Sequence, residues 1–123
     1  MSKDNYFQKE KKSFGHAFKG VAIFFKETNH AKVHLIASIL VLIFGVLLKV
    51  TVIEWLSLIL SMAIVWVSEA INSALEYAVD LASPNYHDLA KKAKDVAAGA
   101  VLIASGFAVI IALLVFIPKL FQL

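Results

Sequence analysis

VAAGAVLIASGFAVIIALLVFIP, Val96–Pro118, carries no charged residue. As an α-helix it rises about 35 Å, enough to cross a hydrocarbon core of about 30 Å. Lys119 follows at once, placed so that its stem can lie on apolar surface while its ammonium stays in water. A second apolar run, Val33–Leu48, closes at Lys49, and Val50–Val52 extend it. A third occupies Trp55–Ser68. Hydropathy drops at Glu69, yet the helical pattern continues through Ile71, Ala74, Leu75, Ala78, Val79 and Leu81. The expectation is an all-α integral membrane chain, one domain over 1–123, with an N-terminal surface helix over 1–30 and transmembrane helices over 33–52, 54–81 and 93–118.

Composition agrees. Of 123 residues, 60% are hydrophobic and 17% charged, against about 45–50% and about 25% in ordinary soluble domains. With no cysteine, a disulfide scaffold and a thiolate metal centre are excluded, and so much apolar surface excludes disorder. All 12 basic residues are lysine and the net charge is +3. Without arginine the chain lacks the usual fork for guanine and phosphate, which argues against a nucleic-acid partner. GxxxxGK and GxGxxG are both absent, so no P-loop or dinucleotide loop is present. His30 and His34 are spaced i, i+4 but lie in no HExxH, and His16 and His87 add no metal-ligand spacing. His34 reads as an interfacial residue. Gly99 and Gly106, seven apart on one face, read as points of close helix packing.

Lysines orient the chain. Lys3, Lys9, Lys11, Lys12, Lys19, Lys26 and Lys32 precede the first span, and Lys91, Lys92 and Lys94 follow the second, whereas the other side holds only Lys49 and Lys119. By the positive-inside rule the N-terminus and the 82–95 connection are cytoplasmic. The first 30 residues lack the compact apolar run of a signal peptide. Instead Phe7, Phe14, Phe18, Val21 and Phe25 recur on one helical face, with lysines mostly off it, as in a helix lying in the membrane interface. Pro84 breaks the chain after the second span. Ser83 is placed to cap the following helix, with Pro84 at its first position.

The second span carries Glu69, Asn72, Glu76 and Asp80. At about 100° per residue they fall within an arc of roughly 80°, one polar stripe on a membrane helix. An acid near the bilayer centre costs about 2.5–3.5 kcal/mol even on the permissive insertion scale, so the stripe must face protein, water or a cation. Asn72 and Ser73 alone would be explained as polar glue between helices. Glu69 and Glu76 are a different matter, because carboxylates repel, and at about 10.5 Å along the axis they are free to hold different jobs. The segment from Asn85 to Asp95 leads straight into the third span, with Lys91, Lys94 and Asp95 on one side of the helix start. A lysine there can hold phosphate as a point charge.

Glu69-Ala70-Ile71-Asn72-Ser73-Ala74-Leu75-Glu76, then Val79-Asp80, then Ala93-Lys94-Asp95, resembles the signature of the small prokaryotic diacylglycerol kinase family, which includes the undecaprenol kinases. The resemblance covers nearly the whole chain. It implies a homotrimer of three-span subunits with active sites shared between neighbours, in the bacterial cytoplasmic membrane. It implies Mg²⁺- and ATP-dependent phosphorylation of a lipid hydroxyl at the cytoplasmic face, diacylglycerol to phosphatidic acid, or alternatively undecaprenol to its phosphate. By position, Glu69 resembles the catalytic base and Glu76 a metal ligand that also positions the nucleotide, with Asn72 and Asp80 in support. Asn85, Tyr86, His87, Lys94 and Asp95 match nucleotide contacts. A further metal ligand before the first span falls on Thr28 in an ungapped register and on Glu27 after a shift of one. The family's N-terminal nucleotide contacts fall on Lys9 and His16, neither of which matches in type.

Two other functions fit parts of the pattern. Intramembrane acids also mark ion paths, but these occupy only one half of their helix, with no charged continuation through Trp55–Val67. A membrane scaffold would have no use for Lys94-Asp95 beside Glu76.

Overall fold

The computed structural model describes residues 3–122, so the first two residues of the expected surface helix lie outside them. Four helices follow in order: α1 (Lys3–Glu27), α2 (Asn29–Leu47), α3 (Val52–Ala82) and α4 (Asp88–Leu120). Among the described residues there is no strand. α2, α3 and α4 are each long and apolar enough to cross a membrane. The all-α membrane architecture read from the sequence is the one the chain adopts.

Each connection has a local cause. Between α1 and α2 a single residue, Thr28, takes an extended conformation, and its side chain does not cap α2. Its hydroxyl is spent on the Ser73 hydroxyl of α3 at 3.1 Å. α2 stops at Leu47, short of the expected Val52, because Lys49 enters the left-handed region at φ 50°. The Val50 N–H then donates back to the Gly45 carbonyl at 3.1 Å. α3 opens on a reciprocal cap: the Thr51 N–H donates to Glu54 Oε2 at 2.6 Å, and the Glu54 N–H donates to Thr51 Oγ1 at 3.3 Å. Lys119 reaches the same Glu54 carboxylate at 3.1 Å, tying the end of α4 to this turn.

The α3–α4 connection corrects an expectation. Ser83 does not start α4; it ends α3, and its hydroxyl donates to the Asn85 carbonyl at 2.9 Å. Committed to that turn, it cannot cap a new helix. Pro84 lies within the turn, and α4 begins at Asp88, where the Leu89 N–H donates to His87 Nδ1 at 3.1 Å.

α3 packs chiefly on α4 and less on α2. Val50, Leu58 and Val115 form the core at the end of the bundle away from the acids, flanked by Trp55 and Phe116. Gly45 is required there, because a Cβ on it would stand 2.3 Å from the Trp55 ring. The packing role expected of Gly99 and Gly106 is not seen within the chain: a Cβ at either meets nothing within 4 Å. Most large apolar side chains of α2–α4 face outward, Ile36, Leu60, Leu102 and Phe107 among them. α1 buries no residue, and Phe7, Phe14 and Phe18 are all largely exposed. Only its last turn is pinned, through Phe24 and Phe25, whose rings lie 6.0 and 5.2 Å from Trp66.

Candidate functional site

The α1–α2 break sits against the acidic half of α3, because Thr28 is bonded to Ser73 there. A cavity of about 260 Å³ opens at this junction, lined by Glu27, Thr28, Glu69, Asn72, Glu76 and Tyr77 among others. The stripe runs from burial to exposure. Glu69 is 2% exposed, Asn72 and Ser73 are buried, and Glu76 and Asp80 are open.

The bonding around the cavity is incomplete. Tyr77 OH donates to Glu27 Oε2 at 2.9 Å, and Asn72 Nδ2 donates to Glu76 Oε1 at 3.4 Å. Glu69 Oε1 and Asn72 Oδ1 are buried without a hydrogen-bond partner. Leaving a buried polar atom unpaired costs about 1–3 kcal/mol, so natural structures keep few of them. Two on adjacent turns of one helix leave a pair of free acceptors beside the cavity. Glu69 Oε2 lies 3.6 Å from His34 Nε2, beyond hydrogen-bond distance.

The sequence register left Glu27 and Thr28 open, and both line the cavity. They differ in chemistry: Thr28 is engaged with Ser73, whereas Glu27 brings a carboxylate held only by a phenol. With Glu76 and the Asn72 carbonyl this makes an all-oxygen donor set, the kind a hard cation takes. Among the described residues no three acidic or histidine side chains converge to hold a metal by themselves. Two carboxylates suit an ion that keeps water and ligand oxygens for the rest of its shell, as Mg²⁺ does.

A second cavity, of about 420 Å³, lies between the end of α3 and the start of α4. Asp80, Asn85, Tyr86, His87, Lys94 and Asp95 line it with Lys91. Lys94 is paired with Asp80 and Lys91 with Asp95. Tyr86 OH donates to Asp88 Oδ1 at 2.9 Å, and that bond holds the phenol above its usual range.

Within one chain, therefore, the residues singled out from the sequence fall into two groups. Glu27 or Thr28, Glu69, Asn72 and Glu76 share the first cavity, and Asp80 with the 85–95 segment shares the second. Lys9 and His16 lie exposed on α1 and line neither. Sequence reasoning missed Tyr77, Asp88 and the contact of His34. That histidine is not simply interfacial; it faces Glu69 from α2. The available signal was a titratable ring in an apolar run, which needs a polar neighbour when buried.

Comparison with known proteins bears on most of the chain. The sequence family described as Prokaryotic diacylglycerol kinase matches residues 15–116. The chain is 40% identical to an undecaprenol kinase of Bacillus subtilis over 109 residues, 89% of each chain. It is 38% identical to a diacylglycerol kinase of Synechocystis sp. over 112 residues, 90% of this chain and 64% of that one. It is 34% identical to a diacylglycerol kinase of Escherichia coli over 99 residues, 80% of this chain and 81% of the other.

Proposed function

Because this chain belongs to the prokaryotic diacylglycerol kinase family, we propose that it transfers the γ-phosphoryl group of ATP to the hydroxyl of a membrane lipid, with diacylglycerol as the acceptor and phosphatidic acid as the product. It is a lipid kinase. The observation that carries the chemical reading is Glu69, a buried carboxylate with one oxygen unpaired beside an unpaired Asn72 carbonyl.

Phosphoryl transfer requires alignment and charge neutralisation more than covalent work by the protein. Glu69 accepts the proton of the lipid hydroxyl as that oxygen bonds to the γ-phosphorus. The bond from phosphorus to the β,γ-bridging oxygen breaks, and ADP departs with its electron pair. Glu76 and Glu27 would hold Mg²⁺, which when bound supplies positive charge to the phosphates. Asn72 steadies Glu76 through its amide N–H. Lys94 places a positive charge on the nucleotide phosphates, with Asp80 holding its ammonium, while Asn85, Tyr86, His87 and Asp95 shape the rest of the nucleotide pocket.

Two incomplete polar cavities on one chain are what a site shared between subunits leaves in each. In a homotrimer the acidic cavity of one subunit completes the lysine-bearing cavity of its neighbour, and the outward apolar faces of α2–α4 divide between subunit contacts and lipid. The lysine bias supports a placement of both cavities on the cytoplasmic side of the bacterial cytoplasmic membrane. There α1 lies in the interface. A second acceptor, undecaprenol, is favoured by one observation, the 40% identity with a relative of that name across 89% of both chains.

Purified protein with Mg²⁺-ATP and diacylglycerol or undecaprenol in mixed micelles tests this reading. Phosphate appears on diacylglycerol; label on undecaprenol alone moves the acceptor, and label on neither lipid overturns the kinase. The metal ligands are tested by magnesium titration. Glu76→Gln and Glu27→Gln each raise the Mg²⁺ concentration for half-maximal rate about tenfold or more, whereas Thr28→Val does not. A Thr28→Val effect with a silent Glu27→Gln would move the ligand to the ungapped register.

A further inference from the structure

A carboxylate that acts as a base must present one oxygen to its proton donor, and the two are equivalent unless neighbours distinguish them. Around Glu69 they are distinguished. Oε1 is buried with no partner, while Oε2 has the His34 ring at 3.6 Å. The two side chains are 18% and 3% exposed for His34 and Glu69, so little water competes for that contact. The ring is itself held in place. It meets Trp66 edge to face at 6.1 Å, Trp66 Nε1 donates to Ser38 Oγ at 3.0 Å, and Phe24 and Phe25 of α1 pack on the indole. His34 also lines an apolar cavity of about 160 Å³ between α2, α3 and α4. It thus stands between that cavity and the acidic one.

Resting on the assignment of Glu69 as base, we propose that His34 is the positioning residue of Glu69: its Nε2 faces Oε2, donates to that oxygen once substrate is bound, and leaves Oε1 to take the proton of the lipid hydroxyl. The length of the contact fits this role, because hydrogen bonds in catalytic groups are often long without substrate and tighten when it binds. Packing alone is the competing role for the ring, since Trp66 lies against it.

Steady-state kinetics of His34→Leu and His34→Gln, with melting temperatures, separate the two. Leucine fills the space without a donor; glutamine carries an N–H that reaches a carboxylate. His34→Leu lowers kcat about 10- to 100-fold, the usual cost of a misoriented group, with KM for Mg²⁺-ATP unchanged. His34→Gln returns kcat to within about threefold of wild type at the same melting temperature as His34→Leu. In the Glu69→Gln background, His34→Leu costs nothing further. Equal activity of the Leu and Gln variants, or a full loss from His34→Leu when Glu69 is already Gln, overturns the proposal. Wild-type turnover in Glu69→Gln alone overturns the base assignment instead, so the two failures are distinct.

Discussion

Glu69→Gln lowers kcat by about 10²- to 10⁴-fold, the range that general-base catalysis contributes, and leaves the helices and their melting temperature as they are. Glutamine has the shape of the native side chain and keeps an oxygen and a nitrogen in the places of Oε1 and Oε2. It cannot accept a proton at neutral pH. The position is 2% exposed, so an isosteric change is the one that separates chemistry from packing. Exchanging the buried carboxylate for an amide also removes a charge that the membrane interior penalises, so the variant should be no less stable than wild type. KM for Mg²⁺-ATP stays within about twofold, because an interaction made only in the transition state appears in kcat. Steady-state rates beside a thermal melt provide the check; a variant that melts like wild type and turns over like it removes Glu69 from the chemistry.

Lys94→Met lowers kcat/KM for Mg²⁺-ATP by about 10²- to 10³-fold, mostly through KM. Lysine offers phosphate a compact point charge, and methionine keeps the stem and the helix without the charge. The Lys94 side chain is 38% exposed and already paired with Asp80, so it is held in place before the nucleotide arrives. Its contribution in wild type weakens as salt rises, because the pair is open to solvent, and that salt dependence disappears in the variant. Measuring KM at two ionic strengths checks both statements. An unchanged KM in Lys94→Met would assign the lysine to the Asp80 pair alone.

Much of this architecture was readable from residue patterns. An uncharged run of membrane length announces α4, a shorter one closed by Lys49 announces α2, and the period of Ile71, Ala74, Leu75 and Ala78 carries α3 through a stretch that hydropathy alone would have ended at Glu69. The stripe from Glu69 to Asp80 followed from helical angle arithmetic. What escaped was decided by single torsions or by contacts between elements. Ser83 looks like a helix cap by type, but its hydroxyl is taken by the Asn85 carbonyl, and His87 caps α4 with a ring nitrogen. Glycine spacing pointed to Gly99 and Gly106, whereas the tight contact is at Gly45, set by the Trp55 ring from another helix. Tyr77 faces Glu27 because Thr28 holds the end of α1 on α3, and His34 faces Glu69 across the α2–α3 packing; no spacing rule along the chain foretells either contact.

The division of the site residues between two cavities is the feature on which the account turns. In the proposed trimer the two groups are halves of one site completed by a neighbour. Mixing subunits tests this most directly. Glu69→Gln and Lys94→Met proteins, each nearly inactive alone at an ATP concentration near the wild-type KM, are dissociated, combined in equal amounts, reassembled and assayed at that concentration. In a shared-site trimer about one site in four then joins an intact Glu69 to an intact Lys94 from the next subunit, so about a quarter of wild-type turnover returns. Activity no greater than the sum of the two parents would contradict the account, because it would place both halves of the site in a single chain.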